Sequence, residues 1–445
     1  MILKNEDRSK ILELFEVHKD FYEERVNSGI ELYRKGYGKI KVVDKDGNPV
    51  KNVKIKINQK SHEFKFGANL FMLDELETPE KNEVYKKSFA DVFNMATLPF
   101  YWNSTEPERG KTRYGKNSTE LYRRPPIDRC IEFCEKNGIE PREHALAYEQ
   151  FFPDWLSDLP LSTVKAEFER RCREISERYS DKIPTIEVTN EMFWPNGKTA
   201  LYDMPDYIEW CFKMAEKYFP SNQLCINEYT EKGWKCLARP AASDYYLYIE
   251  NALLKGARID AVGMQFHMFY PKDEEYHHTR VPYNPIELYK HLDLFARFQK
   301  PIHVTEVTVP AYSDTEEDEA KQAEILEKLY SLWFSHKNVE QIIYWNLIDG
   351  YAAFAPKGDM TSGENYYHGG LLRFDGSQKP AYKTLKKLIT EKWHTRSEGE
   401  LSENGDWTFK GFFGKYDVEL ETDGKTVKKE VVLSKDGQNS FNIEL

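Results

Sequence analysis

Several short β-rich runs in this chain end on side chains that hold or move protons. "TIEVTNE" stops at Asn190-Glu191, and "PIHVTE" stops at Thr305-Glu306. Other runs end near His144 and Tyr148, at Asn227-Glu228-Tyr229, at Gln265 and His267, and at Trp345 with Asp349. The set mixes carboxylates, amides, imidazoles and rings, and holds no basic cluster for phosphate. Two carboxyl groups converging on one pocket among such neighbours suit acid and nucleophile work at a glycosidic bond. Glu191 and Glu306 are the best pair, because each follows a β-branched run that delivers it to a strand end. The plain alternative is a glutamate facing water or paired with lysine, since ion-pair networks imitate sites. That alternative holds for either residue alone and weakens for the pair.

Something must bring these ends together. Eight runs, "FKFGANLFM", "VFNMATLPFYW", "PREHALAYE", "TIEVTNEMF", "QLCINEYT", "DAVGMQFHMF", "PIHVTEVTV" and "QIIYWNLIDG", are separated mostly by helical patterns such as "PPIDRCIEFCEKNG" and "LSTVKAEFERRCREISERYS". Continuous apolar runs are the mark of buried parallel strands, and repeated β-helix-β units close as an eight-stranded barrel with catalytic groups at its C-terminal mouth. An open doubly wound sheet carries a Gly-rich turn after its first strand; "FKFGANLF" offers a single glycine. The predicted class is α/β, a (β/α)8 TIM barrel over residues 62–395. Before it, residues 7–36 read as an amphipathic helix, and "KIKVVDKDGNPVKNVKIKINQ" reads as a β-hairpin around Asp46-Gly47. The appendage therefore covers 1–61. After it, residues 396–445 return to period two with turns at Asp423-Gly424 and Asp436-Gly437, a small C-terminal β-module.

The bulk properties agree. The chain has 445 residues with 14% aromatics, including 28 Tyr and 9 Trp, flat side chains of the kind that line grooves for ring-shaped ligands. The net charge is −11 with basic residues scattered, which argues against nucleic acid and an anionic membrane surface as partners. No apolar stretch reaches signal-peptide or membrane-span length. The six cysteines show no CxxC spacing, and Cys130 and Cys134 share one helical face as buried thiols. The reading is a reduced, cytoplasmic protein, unless a leader has been removed. His277-His278 read as solvated loop histidines and His303 as packing. His144 and His267 lack the further ligands of a metal site, so no metal or cofactor is expected. Trp155 and Trp194 follow strand ends and are candidate sugar platforms. Asn227 and Tyr229 could line the groove, although Tyr229 fits a core aromatic equally well.

"EVTNEMF", "LCINEYT", "GMQFHMF", "HVTEVTV" and "YWNLIDG", in this order, resemble glycoside hydrolase family ten. Its characterised members are mostly retaining endo-β-1,4-xylanases on a (β/α)8 barrel. "FKFGANLF", "EPERG", "EHALAYEQFFPDWL" and "LLRFDGSQKPAYKTL" extend the match over roughly residues 62–390. The resemblance implies Glu191 as general acid/base and Asn190 on the sugar 2-hydroxyl. Glu306 becomes the nucleophile, hydrogen-bonded by His267, with Gln265 in the same subsite and His144 and Trp345 as walls. The implied function is double-displacement cleavage of β-1,4-xylosidic bonds in xylan or xylo-oligosaccharides, an oligo- or polysaccharide partner with no cofactor. A β-glycosidase of another specificity, a catalytically dead carbohydrate-binding barrel and a metal-dependent hydrolase stand behind it.

Departures from the family cluster in the specificity shell. A Glu-Asn-x-x-Lys type signature after the second strand grips the sugar on the non-reducing side of the cleaved bond. Here Leu98, Pro99, Phe100 and Tyr101 stand there, an apolar wall. Asn103, Arg113 or Arg123, from the 103–124 insertion, are the polar groups available to replace those contacts. A Trp-His pair becomes Tyr148-Glu149, an Asn-Asp pair becomes Asn227-Glu228, and the second Trp after strand eight has no counterpart in "IDGYAAFAPKGDMTSGENYYHGG".

Overall fold

Runs with nearly every side chain buried fold into the barrel foreseen from their continuous hydrophobicity. The computed structural model describes residues 5–51, 53–234, 243–422 and 425–445. After β1 (Lys35–Val43) and β2 (Lys54–His62) come the barrel strands β3 (Lys65–Asn69), β4 (Met95–Pro99), β5 (Glu140–His144) and β6 (Thr185–Asn190). The barrel is completed by β7 (Gln223–Glu228), β8 (Ala261–His267), β9 (Ile302–Thr308) and β10 (Val339–Tyr344). Every neighbour in it is parallel, and β10 closes on β3. Helices such as Ile127–Asn137 and Leu161–Tyr179 return the chain between strands. Cys130 and Cys134 are buried thiols on the first of these, and Cys236 lies outside the described residues.

Two irregularities aim the mouth of the barrel. Between Glu187 and Thr189, β6 advances two residues while β7 advances one, from Cys225 to Ile226. Between Val304 and Val307, β9 advances three residues while β8 advances two, from Met264 to Phe266, and β10 likewise from Ile342 to Tyr344. An extra residue on one strand bends it and re-aims its side chains. Glu191 follows the first bulge and Glu306 lies within the second. Below the mouth, Arg142 on β5 and Glu187 on β6 form a fully buried ion pair that fills the barrel axis with charge instead of a void.

The termini do not form separate appendages. The turn at Asp46-Gly47 exists: Asp44 N–H donates to the Asn48 carbonyl at 2.9 Å, and Val50 N–H to the Val42 carbonyl at 3.2 Å. Beyond it the arms of the expected hairpin part into different sheets, and this corrects the sequence reading. β1 lies between β12 (Asp406–Phe412) and β15 (Ser440–Glu444). β2 lies between β11 (Arg396–Glu400) and β13 (Gly414–Thr422), with β14 (Lys425–Leu433) outermost. Ile40, Val42, Ile55 and Ile57 share one core with Phe409, Tyr416, Val418 and Leu433. The Asp423-Gly424 turn lies outside the described residues.

The predicted N-terminal helix is a 3-10 turn, Asn5–Lys10, followed by α-helices Glu13–Val17 and Lys19–Tyr33. The last packs on helix Glu316–Ser335 so closely that a Cβ at Gly29 would stand 2.4 Å from the Ser335 carbonyl oxygen. Arg34, just past its end, donates to the carbonyls of Phe334 and His336, and to that of Val339 at 2.7 Å. It thereby satisfies orphan carbonyls at that helix C-terminus.

Candidate active site

Glu191 stands one residue past β6 with φ +50°, a left-handed conformation uncommon outside glycine. Its environment enforces that turn. Glu191 N–H donates to the Asn227 carbonyl at 3.2 Å, and Met192 N–H to Glu228 Oε2 at 2.8 Å. The carboxylate then receives three donors: Tyr148 Oη on Oε2 at 2.7 Å, Trp194 Nε1 on Oε2 at 2.8 Å, and Gln265 Nε2 on Oε1 at 2.9 Å. Burial, with Glu191 beside it, holds the Tyr148 pKa well above a phenol's usual value, so this hydroxyl remains a donor.

Glu306 is buried across the mouth. Asn227 Nδ2 donates to its Oε1 at 3.1 Å, and His267 Nε2 lies 3.2 Å from its Oε2. Burial lowers the His267 pKa, so the ring is neutral and one nitrogen must accept. Thr308 Oγ1, 2.9 Å from Nδ1, supplies that proton when Nε2 donates to an ionised Glu306. Burial pushes the Glu306 carboxyl up to about 8; His144 opposes this, and the carboxylates of Glu187 and Glu191 add to it.

One amide network joins the two carboxyl groups. Gln265 Nε2 reaches both Glu191 and, at 3.3 Å, Asn190 Oδ1; Asn227 Nδ2 reaches Asn190 Oδ1 at 2.9 Å as well as Glu306. The Asn190 Nδ2 donor is buried and has no partner. A buried amide N–H without a partner costs free energy unless a ligand satisfies it.

The cavity above this network is about 460 Å³. Every predicted site residue except Asn227 lines it: Glu191, Glu306, His144, Tyr148, Asn190, Gln265, His267, Trp345, Tyr229 and Trp194. Asn227 instead lies fully buried behind the wall, its Oδ1 accepting from Thr305 Oγ1 at 2.6 Å, so it supports the site from beneath. Tyr229 is a lining residue tilted against Trp194, ring centroids 5.7 Å apart, and not a core aromatic. Trp155 donates Nε1 to the Glu106 carbonyl at 3.2 Å and packs on Trp102, away from the cavity. His278 belongs to helix Glu275–Thr279 and stacks on Tyr270, 4.6 Å between centroids, where a solvated loop was expected. His303 is fully buried packing.

The departures resolve differently from one another. Leu98 and Phe100 point into the hydrophobic core, and of that wall Tyr101 alone faces the cavity. Its hydroxyl lies 3.1 Å from His144 Nε2, while His144 Nδ1 meets Glu187 Oε1 at 2.8 Å, so both imidazole nitrogens are occupied. Glu149 accepts from Lys198 N–H at 3.0 Å and from Thr199 N–H at 3.1 Å, bracing the loop beyond Glu191. Glu228 braces the same loop through Met192. Neither touches the cavity; the two substitutions rebuild a scaffold. Arg113 binds the Ser104 carbonyl at 2.7 Å and the Thr119 carbonyl at 2.9 Å, holding the insertion together. Arg123 and Arg124 line the cavity, as do Phe151, Phe269 and Phe354, the last 83% exposed. Phe354 occupies the loop after β10 where no Trp was found. Loop residues such as Arg124 and Phe354 carry no periodic signal that could have revealed them.

His144, Glu187 and Glu306 bring ligand atoms within 4.8 Å of one another, a spacing that suits a cation. Glu187 already binds the Arg142 guanidinium and His144, so a metal ion would compete with a buried positive charge at van der Waals range. The donor set fits an ion-paired carboxylate better than a metal centre.

Fold and site together describe a barrel hydrolase with two carboxyl groups at its mouth, and comparisons with known proteins give the family. Residues 57–388 match the model of glycosyl hydrolase family 10, and the chain belongs to that family. It is 26% identical over 420 residues to endo-1,4-beta-xylanase 2 of Arabidopsis thaliana, covering 92% of this chain and 35% of that protein. It is 25% identical over 407 residues to the anti-sigma-I factor RsgI6 of Acetivibrio thermocellus, covering 90% of this chain and 47% of that one. The chain thus spans less than half the length of either relative. The native xylanase 10B of Thermotoga maritima superposes with a TM-score of 0.59 at 21% identity, over 74% of this chain and 96% of that one, a likeness of fold. Among the described residues no helix is long and apolar enough to cross a membrane.

Proposed function

We propose that this chain is a retaining β-glycoside hydrolase that cleaves β-1,4-xylosidic bonds in xylan or xylo-oligosaccharides. The observation that carries the reading is the amide network Gln265–Asn190–Asn227, which ties Glu191 to Glu306 inside one aromatic-walled cavity. In the first step Glu306 attacks the anomeric carbon, and Glu191 gives its proton to the departing oxygen. In the second Glu191 takes a proton from water, which attacks the same carbon and frees Glu306. The unpartnered Asn190 Nδ2 is available for the sugar 2-hydroxyl, a contact that strengthens as the ring flattens. Tyr101 and Trp345 both line the cavity beside His144.

Short oligosaccharides are the preferred form. At the position of the family's polar signature Tyr101 alone faces the cavity, and an apolar ring discriminates by only about 1–3 kcal/mol, so a long unsubstituted chain is gripped weakly there. Comparing release of ends from xylo-oligosaccharides with loss of viscosity in soluble xylan tests this. Faster action on oligosaccharides is expected, and equal rates would contradict it. A second reading, a β-glycosidase for a bulkier leaving group, is favoured by a groove of about 620 Å³ beside Trp194, lined by Phe193, Tyr202 and Tyr248.

A further inference from the structure

Arg124 offers a chemistry that cleavage itself does not use. It closes the 103–124 insertion, and its guanidinium sits 3.9 Å from the Tyr101 ring centroid, with Phe71 at 5.4 Å and Phe151 at 5.8 Å. A guanidinium has five N–H donors in a planar fork. One hydrogen bond engages it, from Nη1 to the Arg123 carbonyl at 2.9 Å, and among the described residues no carboxylate forms an ion pair with it. Its neighbours differ. Arg123 donates to Asn346 Oδ1 at 3.1 Å and to the Tyr351 carbonyl, and Arg113 is held by carbonyls of its own loop.

The charged groups around it leave its charge unanswered. Glu75 accepts from Arg123 N–H at 2.6 Å, and burial pushes its carboxyl up to about 8, so near neutrality much of it is uncharged. Glu364 Oε2 accepts from Asn346 Nδ2 and from Ala353 N–H, both at 3.2 Å. Arg124 is therefore a cation resting on rings, with the edge of its fork open to a cavity of sugar size. That is the arrangement that receives a planar carboxylate two-pronged.

Its side of the cleft follows from the reaction. On the reaction proposed above, the sugar bonded to Glu306 would lie beside the groups that meet this carboxyl, His267 at 3.2 Å and His144 at 4.0 Å, and Tyr101 touches His144. The leaving sugar would lie on the side of Glu191 and its donor Trp194. Arg124 packs on Tyr101, so it flanks the retained, glycone part.

We propose that Arg124 binds the carboxylate of a uronic acid carried by the glycone part of the substrate, making acid-decorated β-xylo-oligosaccharides the preferred substrate class. The proposal rests on the retaining β-glycosidase reading. The test uses xylo-oligosaccharides bearing one glucuronic acid on the non-reducing side of the cleaved bond, and their carboxyl-reduced counterparts, in which CH2OH replaces the carboxylate. The protein favours the acid form by about 10-fold or more in kcat/KM, in line with a charge-assisted pair, and the ratio falls with added salt. In Arg124→Met the ratio collapses to about one, and in Arg124→Lys, which keeps the charge and loses the fork, it falls between. Equal rates on both forms, or a preference that survives Arg124→Met in a variant of unchanged melting temperature, overturn the proposal. Calorimetric binding of the same pair to Glu306→Gln separates the two readings. Absent hydrolysis with the binding preference intact overturns the reaction and keeps the anion site, whereas equal binding overturns the site.

Discussion

Glu306→Ala is expected to abolish turnover of every β-glycoside, because no glycosyl-enzyme can form. Glu191→Ala is expected to lose about 10²–10⁴-fold on natural glycosides, to spare dinitrophenyl glycosides whose leaving group needs no proton, and to regain rate with azide. Steady-state rates of both variants on the two substrate types are the check, and identical behaviour on the activated substrate would mean the roles are misassigned. The same substrate isolates the nucleophile's titration. Attack needs Glu306 ionised, so kcat/KM falls as pH drops through its pKa. Burial raises that pKa from about 4.3 for a free glutamate toward 8, which places the acid limb above pH 6. A limb between pH 4 and 5 would show that the donors of Asn227 and His267 outweigh burial. At this scale the sequence was informative where chemistry sits at strand ends, as with Glu191, Glu306, Asn190 and Gln265. Glu149 and Glu228 do not reach the cavity: their partners are backbone N–H groups and, for Glu149, also the Thr199 hydroxyl, all brought near only by the fold, and a sequence does not display such partners.

The elements that hold the pair are the bulges of β6 and β9 and the loop after Glu191. Glu228 Oε2 accepts from Met192 N–H at 2.8 Å, out of solvent, and its Oε1 from Tyr229 N–H at 2.9 Å, partly so. Glu228→Ala leaves the buried Met192 donor unpaired, at a cost of about 1–3 kcal/mol, and releases that of Tyr229. The left-handed turn at Glu191 then loosens, and a displacement near 1 Å costs on the order of 10²-fold in rate. Thermal unfolding and kcat are expected to fall together, and unchanged values in both would remove the bracing role. All eight barrel strands were legible because continuous apolar runs at helix-spaced intervals have few other solutions. Their bulges were not, since an extra residue in a buried run leaves the hydrophobic pattern intact.

At the scale of the whole molecule, the two ends of the chain make one β-unit against the barrel. Period-two alternation shows as one-sided burial in β1, β2 and β13, while β11 has no buried residue. It gave no means to choose partners, and Ile40 pairs with Trp407 and Phe441 instead of the nearby second strand. Removing residues 396–445 would strip β1 of both neighbours and β2 of both neighbours, exposing Ile40, Val42, Ile55 and Ile57. We propose that the C-terminal segment is structural: the truncated protein is expected to aggregate or melt well below the full chain. An isolated 396–445 fragment that folds and binds polysaccharide would instead mark it as an independent module.

In the proposed mechanism Glu306 forms a covalent bond to the sugar while Glu191 handles the proton. A 2-deoxy-2-fluoro xylobioside with a dinitrophenyl leaving group slows breakdown of the intermediate more than its formation, so the glycosyl-enzyme accumulates. Mass spectrometry of the intact protein and of its peptides is expected to show one added glycosyl unit, on the peptide containing Glu306. A label on any other residue, or inactivity toward this reagent together with inverted stereochemistry in the product of an ordinary β-xyloside, would contradict the account.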